Sequence, residues 1–193
     1  MSEAKIIQKL QEGDEQAFRQ LVEKYRQLVV NTCFGLVHNL EDAEDIAQDV
    51  FIEVFRSVQK FRADSKISTW LYRIAVNRSL NFIRDNKRRK LAQSIEEVFL
   101  PKKGKSGSFS SEKVSAADTE MENSERAAIL HKAIDSLPKN QRVAFTLSKY
   151  EDLSYKEIAA VMETSVSSVE SLIHRAKKNL QKKLYVCYKK NCI

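Results

Sequence analysis

The sequence predicts an almost entirely α-helical protein, and three observations carry that expectation. Gly and Pro are scarce, four and two in 193 residues, so the strongest local breakers rarely interrupt the chain. Apolar residues recur every three or four positions over long stretches, which is the helical period. Strand-like alternation is hard to find. The length suits one large or two small domains. The longest apolar runs are far too short to span a bilayer, and the N-terminal MSEAKIIQKLQEGDEQ does not read as a signal peptide, so no membrane insertion and a cytoplasmic protein are expected.

The elements follow in order. Glu15–Leu36 is apolar at Phe18, Leu21, Val22, Tyr25, Leu28, Val29 and Thr32, one face of a helix. Asn39 or Asp42 can cap the next helix, which runs to about Phe61 with Ala43, Ile46, Ala47, Val50, Val54 and Val58 as its core stripe. After the polar loop Arg62–Lys66, a third helix starts near Ser68 or Thr69 and carries Trp70, Leu71, Ile74, Ala75, Leu80 and Ile83. Residues 90–122 differ in texture. LPKKGKSGS at Leu100–Ser108 lacks apolar periodicity and reads as a solvated linker. Two domains are therefore expected, 1–89 and 123–193.

The second domain ends in the most informative stretch, YKEIAAVMETSVSSVESLIHRAKK at Tyr155–Lys178. Ile158, Ala159, Met162, Val169 and Leu172 fall where two short helices crossing over a tight turn bury side chains. Ser167, Ser168, Glu170, Ser171, His174 and Arg175 then face outward. Short polar groups near a helix N-terminus and cations further on suit a helix in a major groove, reading base edges beside phosphates. Two amphipathic helices joined by a turn occur in any all-α domain, so charge decides. Seven Lys/Arg and no Asp/Glu lie between Arg175 and Lys190. Residues 124–193 hold 13 Lys/Arg against 7 Asp/Glu, whereas residues 1–86 hold 12 against 13. The chain's net charge of +7 therefore sits with the helix-turn-helix, as a nucleic-acid footprint does.

Two constellations exceed what a simple DNA-binding protein needs. Glu41, Asp42, Glu44, Asp45, Asp49 and Glu53 are all acidic, and no Lys or Arg occurs from Gln27 to Phe55. Asp42, Asp45, Asp49 and Glu53 share one helix face and repel each other. Helix-dipole stabilisation covers only the first turn. A solvated face is the plain alternative; a basic protein surface docking there explains Asp49 and Glu53 better. The second constellation interleaves cations and aromatics from Lys60 to Arg89. Arg73, Asn77, Arg84 and Arg88 form a candidate DNA-facing stripe, and the loop before them could hold a base pulled from the stack. Trp70, spaced with Leu71 and Ile74, is read as core in preference to a stacking platform.

Cys33, Cys187 and Cys192 contain no CxxC pair, which argues against a disulfide framework or zinc knuckle. Cys33 is read as a small buried hydrophobe. No triad, metal cluster or phosphate loop is recognisable, so neither a cofactor nor an enzymatic activity is expected.

Together these residues resemble the extracytoplasmic-function (group IV) sigma factors of bacterial RNA polymerase. GDEQAFRQLVEKY, DAEDIAQDVFIEVFRS and KFRADSKISTWLYRIAVNRSLNFIRD are similar to conserved region 2, and LPKNQRVAFTLSKYEDLSYKEIAAVMETSVSSVESLIHRAKKNL to region 4. The resemblance implies a transcription initiation factor that brings core RNA polymerase to promoter DNA. It implies docking of Asp42, Asp45, Ile46, Gln48, Asp49 and Glu53 on the β′ clamp helices. It implies −10 recognition and melting by Phe61, Arg62, Asp64, Ser65, Lys66, Ser68, Thr69, Trp70, Arg73, Asn77, Arg78 and Arg84. Region 4, on the β flap, would read the −35 element through Ser165, Ser167, Ser168, Glu170, Ser171, His174, Arg175, Lys177 and Lys178. The linker would thread toward the polymerase active site, and an anti-sigma factor is an implied partner.

Two positions depart from the family pattern. Glu163 stands where the turn often has Gly, and a non-Gly residue serves there if the turn avoids a left-handed conformation. Glu170 stands where a basic residue is common; it can accept from a cytosine amino group or pair with His174 at i+4. The alternatives to a sigma factor are an autonomous helix-turn-helix regulator, which has no use for the acidic helix, and a nucleic-acid-processing enzyme, which needs a metal-type carboxylate constellation.

Overall fold

A computed structural model describes residues 3–61, 64–99 and 118–189. Arg62 of the expected −10 loop, residues 100–117 of the expected linker, and Cys192 lie outside the described residues. Every regular element among the described residues is helical: α1 (Glu3–Gln11), α2 (Glu15–Val37), α3 (Leu40–Ser57), a 3₁₀ turn (Val58–Lys60), α4 (Ile67–Phe99), α5 (Asp118–Asp135), α6 (Lys139–Lys149), α7 (Tyr155–Met162) and α8 (Val166–Lys189). No helix among the described residues is long and apolar enough to cross a membrane.

Local chemistry sets the boundaries. Asp14 caps α2 by accepting from Gln16 N and Ala17 N at 2.8 and 3.2 Å. Asn39, rather than Asp42, caps α3, its Oδ1 accepting from Asp42 N at 2.9 Å. Ser154 and Glu157 form a reciprocal capping box at the start of α7. The helix α1, which the sequence reading did not single out, tucks Ile6 and Leu10 into the first core. Its Gln11 side chain donates to Val58 O at 3.2 Å and Phe61 O at 3.1 Å, pinning the chain before the polar loop.

Two outcomes differ from expectation. Helix α4 runs on through residues 90–99 of the segment read as linker, and α5 begins inside it at Asp118. The physical reason is visible in KRRKLAQ at Lys87–Gln93: these residues are good helix formers, and no Gly or Pro intervenes before Pro101. The turn between α7 and α8 does not avoid the left-handed region either. Glu163 has φ 52° and ψ 48°, a conformation that costs an L-residue about 1–2 kcal/mol. Its N–H still closes on Ala159 O, in the manner of a left-handed helix cap.

Packing produces one main core in the first region and a second that is shared. Leu21, Val29, Cys33, Ala43, Val50, Val54, Ile67 and Leu71 fill the first, between α2, α3 and α4. The second joins Leu36 of α2 and Tyr72 and Val76 of α4 to Val143, Ala144 and Leu147 of α6, Ile158 and Val161 of α7, and Val169 and Ile173 of α8. The helix-turn-helix region thus rests directly on α2 and α4. A smaller core holds Ala133, Ile134 and Leu137 against Ala176 and Leu180 of α8.

Candidate nucleic-acid and partner interfaces

The helix-turn-helix is built as its apolar spacing requires. Ile158, Ala159 and Val169 are buried; Met162 and Leu172 pack at the margin of the same core. Ser165, Ser167, Glu170, Ser171, His174, Arg175, Lys177 and Lys178 are exposed, and Ser168 is half-buried. Ser165 acts at the N-terminus of α8, its Oγ accepting from Ser168 N at 3.2 Å and lying within 3.1 Å of Ser167 Oγ and 2.8 Å of Ser168 Oγ. Hydroxyls so placed sit at the positive end of the helix dipole, where base edges and phosphates are met. The i+4 pair of Glu170 with His174 is not formed among the described residues, so the Glu170 carboxylate is free to accept from a partner.

The polar residues of the acidic helix divide into those that are unpaired among the described residues and those that hold the fold. Asp45, Gln48 and Asp49 are exposed and make no hydrogen bond or ion pair among the described residues. Asp42 is half-buried beside its cap. Glu53 pairs with Arg78, tying α3 to α4. Ile46 is 4% exposed and belongs to the core; it offers no surface to a partner, because its place in the apolar stripe outweighs its place in the motif.

Beside this face the structure shows residues that sequence reasoning passed over. Leu40, Ile52 and Phe55 are large, apolar and exposed. Phe55 meets Phe18 edge-on at 5.2 Å, and with Glu15, Arg19, Ile52 and Arg56 they line an open groove of ≈ 540 Å³. The signal was present: Ile52 and Phe55 fall off the core stripe of α3 yet are apolar.

The cation-aromatic stretch is more heavily engaged than its spacing suggests. Phe61 and Trp70 approach at 4.7 Å between ring centroids and bracket the loop from both sides. Trp70 also packs against the first core, as its spacing implied. Asp64 and Lys66 are exposed, Ser65 and Ser68 half-buried, and Thr69 is buried, which removes Thr69 from direct contact with a ligand. Asn77 is exposed. Arg84 pairs with Asp85 at 3.0 Å. Arg73 reaches α7: its Nε and Nη2 donate to Ala160 O at 3.1 and 2.6 Å, and Nη1 lies 3.0 Å from Glu163 Oε1. Lys66 Nζ lies 3.6 Å from Glu157 Oε1. Among the described residues no cluster of His, Cys, Asp or Glu has the geometry to hold a metal ion.

Two family models match the chain: sigma-70 region 2 over residues 21–89 and sigma-70 region 4 over residues 127–180. The RNA polymerase sigma-H factor of Pseudomonas aeruginosa is 34% identical, with 93% of this chain and 92% of that protein covered. The ECF RNA polymerase sigma-E factor of Escherichia coli K12 is 34% identical with the same coverage. The chain belongs to the sigma-70 family, in its extracytoplasmic-function class. Among solved structures, CnrH in complex with the cytosolic domain of CnrY superposes with a TM-score of 0.64 at 22% identity, covering 94% of this chain and 96% of that one. The sigma factor RpoE in complex with the anti-sigma factor NepR from Bartonella quintana gives 0.58 at 23%, covering 88% and 97%. Both share the fold. The chain is a transcription initiation factor that directs RNA polymerase to promoters, and the match to region 2 as well as region 4 sets aside an autonomous helix-turn-helix regulator.

Proposed function

We propose a division of this sigma factor's work among three surfaces. The face of α3 bearing Asp45, Gln48 and Asp49, with the apolar rim of Leu40, Ile52 and Phe55, docks on the basic β′ clamp helices of core polymerase. The Phe61–Ser68 loop and the start of α4, with Trp70, Arg73, Asn77 and Arg78, engage the melted −10 element, and Arg84 lies further along the same helix. Helix α8, through Ser165–Lys178, reads the −35 element while region 4 rests on the β flap. Residues 1–89 and 123–193 carry the two functions and residues 90–122 connect them. The polymerase supplies the chemistry, so the chain has no catalytic group of its own and works in the cytoplasm. An anti-sigma factor covering the α3 face is the expected regulator, because a solved protein of the same fold, the sigma factor RpoE, is in complex with the anti-sigma factor NepR.

The observation that carries this reading is the partner-free acidic face. Like charges held three or four residues apart destabilise a helix by a few tenths of a kcal/mol per pair, and among the described residues Asp45 and Asp49 have no hydrogen bond or ion pair to offset it. A complementary basic surface does. The test is Asp45→Lys with Asp49→Lys in run-off transcription with core polymerase. Promoter-directed transcript should fall at least tenfold, while helicity and duplex DNA binding are kept. Transcription at the unsubstituted level would show that docking lies elsewhere.

A further inference from the structure

Helix α1 lies before the residues that the region 2 family model matches, which begin at residue 21. Its C-terminal end is nevertheless tightly built. A helix leaves its last four carbonyls without partners inside it, and here the chain closes all of them. Glu12 N donates to Gln8 O at 3.0 Å, Gly13 N to Leu10 O at 3.1 Å and Asp14 N to Lys9 O at 2.9 Å. Gly13 makes that closure at φ 83°, the left-handed conformation that a helix end of this kind requires. The fourth carbonyl, Gln11 O, accepts from the side chain of Gln59 in the 3₁₀ turn. Ile6 and Leu10 hold the helix to the core that also buries Val58.

From that fixed point the Gln11 amide reaches the start of the polar loop. Its Nε2 donates to Val58 O at 3.2 Å and to Phe61 O at 3.1 Å. A primary amide suits this place, because it carries two N–H donors on one nitrogen and no charge to desolvate. Phe61 N donates to Val58 O at 3.0 Å. Both backbone polar groups of Phe61 are therefore held, and its ring lies 4.7 Å from that of Trp70. Seating α1 needs only the apolar contacts and the bond to Val58 O. The bond to Phe61 O falls on the residue from which the loop departs.

We propose that Gln11 is a positioning residue for promoter melting. By fixing the Phe61 peptide it sets how the loop and the Phe61 ring meet the unpaired −10 bases. The inference rests on the assignment of the Phe61–Ser68 loop to the −10 element. Gln11 acts through Phe61 and touches no DNA. Without its amide the loop samples other arrangements, and affinity falls with the fraction of chains in the competent one.

The test uses holoenzyme assembled from core polymerase and the full chain. The probe is a short fluorescein-labelled single-stranded DNA selected from a random pool on the parental holoenzyme, and anisotropy reads its affinity. Gln11→Ala should weaken binding roughly tenfold. Gln11→Glu keeps the shape but has no N–H to give, and should weaken it at least as much. Gln59→Ala removes a hydrogen bond across the same contact between α1 and the 3₁₀ turn but frees no carbonyl of the loop, so its affinity should stay within about twofold of the parent. Phe61→Ala, which removes the ring itself, should lose about fivefold or more. Thermal midpoints of the same chains show that each is folded. Equal losses in Gln11→Ala and Gln59→Ala would make the contact a support of the fold alone and overturn the proposal. Parental affinity in both Gln11 variants, with a loss in Phe61→Ala, overturns it and leaves the −10 assignment standing. Parental affinity in Phe61→Ala defeats that assignment and this inference with it.

Discussion

The two helices proposed to engage DNA, the first turns of α8 and the first half of α4, are in opposite states of readiness. On α8, Glu170, Ser171, His174, Arg175, Lys177 and Lys178 are exposed, and none makes an ion pair among the described residues. On α4, Arg73 is committed to Ala160 O and Glu163, Arg78 to Glu53 and Arg84 to Asp85. The difference follows from position. Helix α8 buries one stripe and leaves the other open, as a major-groove reader must. Helix α4 is central to the molecule, with α2 and α3 on one side and α7 on another, so Arg73 and Arg78 find partners on neighbouring elements, whereas Arg84 pairs along α4 itself. The exposed face of α8 stands ready for a partner, whereas the Arg73 face of α4 is occupied while α7 lies on it.

The comparison breaks most visibly if the shared core is not what covers α4. Leu147 is fully buried there, beside Tyr72 and Val76. Leu147→Ala should cost about 2–5 kcal/mol, seen as a lower midpoint in denaturant, with region 4 losing its seat on α4 before α2 and α3 unfold. An unchanged midpoint would mean that the two regions do not depend on this core. A smaller effect sharpens the other side. Glu170 is exposed and unpaired, so Glu170→Gln should alter preference at one base pair of the upstream element by about 1–3 kcal/mol. Competition binding with single-base-pair variants of a −35 duplex measures it. The radius of gyration should not move, and unaltered preference would remove Glu170 from the reading face.

Much of this was legible in the chain, and the reasons it was not complete are physical. Apolar spacing identified Ile158, Ala159 and Val169 as buried, and the exposed face of α8 with them, because a short amphipathic helix shows its two sides directly in its period. The acidic face was legible for the same reason, except at Ile46, where the motif and the stripe coincide and burial wins. What spacing cannot show is contact between distant elements. Arg73 was read as facing DNA, and nothing in STWLYRIAVN reveals that a carbonyl of α7 lies within 2.6 Å of it. Gly35 carries a hint, a glycine inside a long helix, but its meaning depends on Thr146, more than a hundred residues away in sequence. Glu163 likewise adopts the left-handed turn that a glycine usually supplies, with Arg73 across from its carboxylate.

The smallest expected effect concerns how readily α4 is released as pH changes. Glu151 enters the contact between the regions from the loop after α6. Burial pushes its carboxyl up from an ordinary 4.5 to about 7, against the hydrogen bond from Tyr72 of α4, which favours the ionised form, and with Asp152 adding to the rise. Cys33 of α2 faces the same site, its thiol pushed up to about 11 by burial, with the Glu151 charge adding to the rise. One carboxyl oxygen of Glu151 is buried without a hydrogen-bond partner, which is the structural cause of the penalty on its charge. Closure therefore favours the protonated form. Its contribution is fully present below pH 4.5, shrinks as pH rises, and is lost by about 7. Partial exposure limits the change to roughly tenfold in the ratio of closed to open chains. His131 acts in the opposite sense: burial and then His38 hold its pKa below 6.5 against Asp135, so closure weakens as pH falls through that range and the ring charges on opening. Scattering between pH 5 and 8 should resolve both limbs. Glu151→Gln should remove the opening on the alkaline side and leave the acidic limb, whereas DNA binding by the exposed face of α8 should show neither. A Glu151→Gln profile identical to the parent would place the pH response outside this contact and return the difference between the two helices to packing alone.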